Sequence, residues 1–77
     1  METIEYKFAE TLKSSSLSLK QRQVLMSSLK LFSEIGFENT TSHLIAEHAG
    51  VSEGTVFSYF KTKEGILDAI LSRFLEQ

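Results

Sequence analysis

The segment from residue 42 to residue 61 constrains the fold most, because two short helical patterns meet within it at Gly50-Val51-Ser52. Glycine tolerates the left-handed backbone conformation that a sharp turn between helices needs, and serine can cap the helix that follows. Ala46, four residues before the glycine, is small enough to let the two helices cross closely. Val51 and Val56 are expected beneath the turn. The segment therefore predicts a helix-turn-helix unit over residues 42–61.

A longer helix is predicted before this unit. Ser18-Leu19-Lys20-Gln21 has the form of a capping box, so we expect a helix over about residues 19–35. Its apolar or small positions follow the helical period and are Val24, Leu25, Ser28, Leu31, Phe32 and Ile35. Gly36 fits the left-handed position that ends many helices, and Phe37 is expected to fold back onto the helix. The lack of proline agrees with a mostly helical chain.

Two more helix starts lie downstream. Ser52 is expected to cap a third helix over about residues 53–59, and Thr62 a fourth. The apolar stripe of the fourth helix comprises Ile66, Leu67, Ile70, Leu71, Phe74 and Leu75. A small three-helix core cannot cover a stripe this wide. We therefore expect Leu71, Phe74 and Leu75 to be partly exposed where a second domain or another chain packs.

The first eighteen residues are ambiguous. Ile4, Phe8 and Leu12 repeat as on a helix, whereas Ile4, Tyr6 and Phe8 alternate as in a strand. A lone strand would have no partner, so a short helix is favoured, followed by a serine linker at residues 14–16. This segment could equally be a disordered arm that touches DNA or a dimer contact.

These patterns predict an all-α fold, in which a three-helix, homeodomain-like helix-turn-helix bundle is followed by a fourth helix, with a short N-terminal helix as an option. An N-terminal arm at 1–18 would precede one domain at 19–77. No cysteine is present, no apolar run approaches the roughly 20 residues that cross a bilayer, and the N-terminus does not resemble a signal peptide. We therefore expect a cytoplasmic protein.

The composition offers little for catalysis or cofactors. The chain has no glycine-rich phosphate loop, and its sequence identifies no nucleophile–base pair. His43 and His48 are five residues apart, would not share a helix face, and have no cysteine to complete a metal site. We expect no enzymatic activity, no metal and no cofactor.

The net charge of −2 opposes a strongly basic nucleic-acid binder. The charge is unevenly spread, since residues 19–63 carry five basic and four acidic side chains whereas both ends are acidic. DNA affinity depends on how many phosphates are neutralised rather than on the total charge. The charge weakens a DNA-binding interpretation without excluding it.

A longer string of residues is more specific. It comprises Leu31-Phe32, Gly36-Phe37, Thr40-Thr41-Ser42, the run from Ile45 to Ser52 and the run from Gly54 to Glu64. In order and spacing, residues 23–71 resemble the N-terminal DNA-binding domain of the tetracycline-repressor (TetR) family of transcriptional regulators. The resemblance covers about two-thirds of the chain.

The resemblance implies that the third helix is a recognition helix in the major groove. The residues placed to read bases are His43, Glu53, Gly54, Thr55 and Ser58. The residues placed to contact phosphates are Ser42, Phe57, Tyr59 and Lys63. Tyr59 could instead be a partly buried aromatic, Ser58 an ordinary surface serine, and Lys61 is interpreted as a solvated lysine.

Three departures from the family pattern stand out. Glu53 occupies a position where the family often has lysine, and it would repel DNA unless it accepts from a cytosine amino group. Phe57 replaces the common tyrosine and cannot donate to a phosphate. Family members also carry a long helical domain that dimerises and holds an inducer, so this chain is expected to be a fragment or a shortened protein.

The sequence thus predicts the DNA-binding domain of a transcriptional repressor that binds a pseudo-palindromic operator as a homodimer. The alternative is a helix-turn-helix protein-interaction module that no longer binds DNA, which the acidic charge and Glu53 favour. A truncated protein that interferes with a full-length relative is a third option.

Overall fold

The computed structural model describes residues 17–75 together with Tyr6, Lys7 and Glu10, with side chains described as far as residue 73. Four helices follow one another: α1 (Leu19–Ile35), α2 (Ser42–Ala49), α3 (Glu53–Tyr59) and α4 (Lys63–Leu75). The described residues contain no strand, and none of their helices is long and apolar enough to cross a membrane. The all-α prediction and the helix-turn-helix unit are confirmed.

Most of the N-terminal segment lies outside the described residues. Tyr6, Lys7 and Glu10 have helical backbone, as a short N-terminal helix would require. The proposed serine linker at residues 14–16 falls outside the described part, and so does the choice between helix, arm and dimer contact.

Side-chain caps set where the helices begin. In the capping box of α1, the backbone N–H of Gln21 donates to Ser18 Oγ at 3.2 Å, and that of Ser18 donates to Gln21 Oε1 at 2.9 Å. Thr41 caps α2 by accepting from the backbone N–H of Leu44 at 3.1 Å. The starts of α3 and α4 are capped in the same way by Ser52 and Thr62. Because each cap satisfies an N–H group that has no partner within its helix, short helices can start at fixed residues.

The two helix-ending glycines adopt different conformations. Gly50 is left-handed, with φ 74° and ψ 32°, as the helix-turn-helix corner requires. Gly36 also has a positive φ of 91°, but its ψ of 153° is extended, so the predicted left-handed end of α1 is wrong. The carbonyls near this end are instead satisfied by side chains, since Asn39 Nδ2 donates to Ile35 O and Thr40 Oγ1 to Gly36 O, both at 2.8 Å.

The prediction that Phe37 folds back onto α1 is confirmed, because its ring centroid lies 5.0 Å from that of Phe32. The same turn is further fixed by the side chain of Thr40, which is fully buried. A compact turn therefore delivers the chain from α1 to the first residue of α2.

The core lies where α1 packs on α2 and α4, and α2 packs on α3. Its buried apolar residues are Val24, Leu25, Leu29, Ile45, Ala46, Val56, Ile66 and Ile70. Ala46, the small residue that the sequence predicts where α2 and α3 cross, is 4% exposed. Ile35, the last position of the apolar period of α1, is 40% exposed and lies outside the core.

Hydroxyl groups are also buried on α1. Ser28 Oγ donates to the backbone oxygen of Val24 at 2.8 Å, which satisfies it inside the core. Ser27 Oγ lies 2.9 Å from His48 Nδ1 and joins α1 to α2. His48 is exposed, and this contact ties its ring to the neighbouring helix.

The fourth helix divides its apolar stripe between core and surface. Ile66 and Ile70 are buried, whereas Leu71 is 48% exposed. The predicted exposure is confirmed for Leu71. The side chains of Phe74 and Leu75 lie outside the described residues.

Candidate nucleic-acid interface

Helix α3 exposes four of its seven residues to solvent. Val56 is the residue of α3 that is buried, with 1% exposure, while Thr55 and Tyr59 are half-buried. The remaining residues of this seven-residue helix are exposed, and these are Glu53, Gly54, Phe57 and Ser58. Helix α3 is thus anchored to the core by the side that carries Val56 and Tyr59, and the start of its first turn is open to a partner.

The two hydroxyl groups predicted to read bases have partners in α3 and in its N-cap residue. Thr55 Oγ1 lies 2.9 Å from Ser52 Oγ, and Ser58 Oγ donates to the backbone oxygen of Thr55 at 2.9 Å. A hydroxyl carries one hydrogen and two lone pairs, so Ser58 keeps its acceptor capacity. An amino group of adenine or cytosine is the kind of base donor that Ser58 could accept from.

Gly54 occupies the first turn of α3 without a packing reason. A Cβ atom added there would come no closer than 3.8 Å to another heavy atom, Ser52 Oγ, which is ordinary contact. Glycine inside a helix costs roughly 0.5–1 kcal/mol relative to alanine. The fold therefore tolerates a side chain at this position, and the missing one leaves the backbone open to close approach.

A histidine joins the starts of α2 and α3. His43 Nδ1 lies 3.2 Å from Glu53 Oε2, and His43 Nε2 lies 3.6 Å from Glu47 Oε2. All three side chains are more than half exposed, so the pairs contribute at most about 1 kcal/mol to stability. Their main effect is to fix where the Glu53 carboxylate lies, which is next to the imidazole ring of His43.

The residues predicted to contact phosphates differ in their surroundings. Ser42 is exposed, and Phe57 is 56% exposed. Tyr59 is half-buried, packs against the core, and places its ring edge-on to Phe60 with centroids 6.5 Å apart. The hydroxyl of Tyr59 makes no hydrogen bond within the described part of the chain.

Lys63 has a tertiary partner that the sequence did not indicate. Its ammonium donates to the backbone oxygen of Phe37 at 2.8 Å and lies 4.5 Å from the centroid of the Phe37 ring. The start of α4 is thereby tied to the turn after α1. An ammonium has three hydrogens, so donors remain for a second partner.

The structure brings some predicted site residues together and leaves others apart. His43 contacts Glu53 across two helices, whereas Lys63 donates its hydrogen bond to Phe37 in the turn after α1. Two residues outside the predicted site set also lie at this surface, Glu47 beside His43 and Lys61 beside Phe57. The spacing of four residues within α2 was a usable signal for the pair of His43 and Glu47, whereas Lys61 lies beyond the last residue of α3.

Comparison with known proteins agrees with this geometry. Residues 24–70 match the family described as bacterial regulatory proteins, tetR family. The chain is 38% identical over 64 residues to the HTH-type transcriptional regulator RutR of Escherichia coli (strain K12), which is 83% of this chain and 30% of RutR. It is 35% identical over 54 residues to the HTH-type transcriptional regulator BetI of Proteus mirabilis (strain HI4320), which is 70% of this chain and 27% of BetI.

A third relative is the uncharacterised HTH-type transcriptional regulator YhgD of Bacillus subtilis (strain 168), 33% identical over 58 residues, which is 75% of this chain and 30% of YhgD. The chain thus spans less than a third of the length of these relatives. No solved structure gives a significant match. The match over residues 24–70 contains α2, its glycine corner and α3, and the chain belongs to the tetR family of bacterial regulatory proteins.

Proposed function

We propose that this chain is the sequence-specific DNA-binding module of a transcriptional repressor. The observation that carries the proposal is the placement of α3, which is anchored by Val56 and turns its first turn and exposed face to solvent within the region shared with the family. In this proposal residues 19–77 form the DNA-binding domain, residues 1–18 form an N-terminal arm, and the protein works in the cytoplasm without enzymatic activity.

Helix α3 enters the major groove in this proposal. The bases are read by His43, Glu53, Gly54, Thr55 and Ser58. The phosphates are contacted by Ser42, Phe57, Tyr59 and Lys63. Support comes from the exposure of Glu53, Gly54 and Ser58 and from the hydrogen-bonding capacity left on Ser58 and Lys63.

The assembled regulator is proposed to be a homodimer on a pseudo-palindromic operator. The relatives are more than three times as long as the matched segment, and a protein of their length would have further chain in which we place dimerisation and the binding of an inducer. Leu71 on the outer side of α4 is an apolar position at which a second copy or a further domain could pack. Two-fold symmetry would then set half-sites about one turn of DNA apart.

The test is a fluorescence-anisotropy titration of labelled random duplex with the 77-residue chain between about 50 and about 200 mM salt. We expect binding that weakens linearly with the logarithm of salt, because lysines displace counterions from the phosphates. Enrichment of one motif from a randomised duplex pool would then establish sequence preference. Absence of binding at low salt would contradict the proposal.

The net charge and the pair Glu47 and Glu53 favour a second function, a protein-interaction module that no longer binds DNA. The same titration separates the two functions, since an interaction module would leave the duplex unbound at every salt concentration.

A further inference from the structure

Lys61 lies next to the exposed aromatic ring of α3. Its ammonium is 5.0 Å from the centroid of the Phe57 ring, four residues earlier in the chain. Both side chains are exposed, and Phe57 is on the face of α3 that the proposed function turns to DNA. A cation and an apolar surface therefore form one patch beside the recognition helix.

Among the residues that the structure describes, no partner neutralises the charge of Lys61. Lys30 has a carboxylate, Glu34 Oε2, at 3.0 Å, and Lys63 donates to the Phe37 carbonyl. No carboxylate or carbonyl oxygen within residues 17–75 accepts from Lys61. An aromatic face attracts a cation but takes up none of its three N–H donors in a conventional hydrogen bond. The full charge and all three donors are available to an anion.

We propose that Phe57 and Lys61 contact the DNA backbone as a unit, in which Phe57 packs on a sugar and Lys61 donates to the adjoining phosphate. Phenylalanine cannot donate to a phosphate, and the neighbouring ammonium supplies the missing donor. The inference rests on the proposed DNA binding and adds to it a phosphate contact outside the set predicted from sequence. The partner is duplex DNA of any sequence, because both contacts avoid the base edges.

The experiment is to substitute Lys61→Met in the 77-residue chain and to measure binding to random duplex across the same salt range. One lost phosphate contact lowers the slope of log affinity against log salt by about 0.9. The factor by which Lys61→Met binds duplex more weakly than the original chain should therefore fall by about 3.5-fold as the salt concentration rises fourfold. Lys61→Arg, which keeps the charge, should keep the slope.

Lys30→Met is the matched control, because it removes the same charge from α1 and leaves α3 untouched. It should change the slope by much less than Lys61→Met. Equal slopes for the original chain and Lys61→Met, or equal losses for Lys30→Met and Lys61→Met, would overturn the assignment. Far-UV circular dichroism checks that each variant is folded.

A second variant tests the chemistry of the pair. Phe57→Tyr introduced into the Lys61→Met chain should recover affinity, because the new hydroxyl can donate to a phosphate. It should not recover the slope, because a neutral group releases no counterions. A recovered slope would overturn the role of Lys61. If the original chain does not bind the duplex, the proposed function fails together with this inference, whereas binding with an unchanged Lys61→Met slope refutes this inference alone.

Discussion

At the scale of single residues, Gly54 shows how a stability cost can point to a contact outside the chain. Nothing within 3.8 Å prevents a side chain at this position, and its φ is not in the left-handed region. Glycine therefore serves neither the turn nor the packing of α3. The proposed function offers a physical reason for it, which is close approach of DNA to the first turn of α3.

We predict that Gly54→Ala raises the free energy of unfolding by about 0.5–1 kcal/mol and weakens binding to duplex DNA. The gain comes from helix propensity, and the loss from a methyl group at the interface. Gly65→Ala is the matched control, since its added Cβ would meet Thr62 Oγ1 at an ordinary 3.5 Å on α4. Thermal unfolding and anisotropy measure the two effects. Stronger DNA binding by Gly54→Ala would contradict the proposed role of the glycine.

At the scale of helices, α3 depends on its cap more than the longer helices do. It has seven residues, and Ser52 accepts from the backbone N–H of Thr55 at 3.1 Å while its Oγ also meets Thr55 Oγ1. Helices this short are not stable on their own, so each contact at the start matters. The cap also fixes the direction in which the first turn of α3 leaves the glycine corner.

We predict that Ser52→Ala lowers the free energy of unfolding by about 1 kcal/mol, because one backbone N–H loses its partner. Ser33→Ala is the control: Ser33 lies inside α1, is exposed, and donates to the Lys30 carbonyl, so its loss should cost a few tenths of a kcal/mol at most. Urea unfolding followed by circular dichroism measures both changes. Equal stabilities for the two variants would show that the cap is not needed.

Features of the helices that depend on neighbouring residues could be predicted from the sequence, whereas contacts between helices could not. Caps such as Ser18 and the corner at Gly50 follow from residues within four positions, so the helix bounds were predictable. The contact of Lys63 with Phe37 spans 26 positions, and that of His48 with Ser27 spans 21. Such contacts depend on how the helices pack, which no local pattern specifies. The roles of the site residues toward DNA remain predictions.

At the scale of the whole molecule, a net charge of −2 sets the sign of the long-range field but not the field at α3. Exposed charges farther apart than about 8–10 Å are largely screened at physiological salt. The charges at the proposed interface are Glu47 and Glu53 with His43 between them, Lys61 just after α3, and Lys63 at the start of α4. An acidic protein can therefore present a surface on which DNA binding is decided by a few neighbouring charges.

We predict that Glu47→Gln strengthens binding to random duplex by a factor of about two to five near 50 mM salt, because one carboxylate is removed from α2, next to His43. Glu34→Gln changes the net charge equally but acts on α1, where Lys30 pairs with it, and should have a smaller effect. Anisotropy titrations at two salt concentrations compare them, and the gain should diminish as salt rises. If the two variants bind equally, total charge governs affinity and the local account of this interface is wrong.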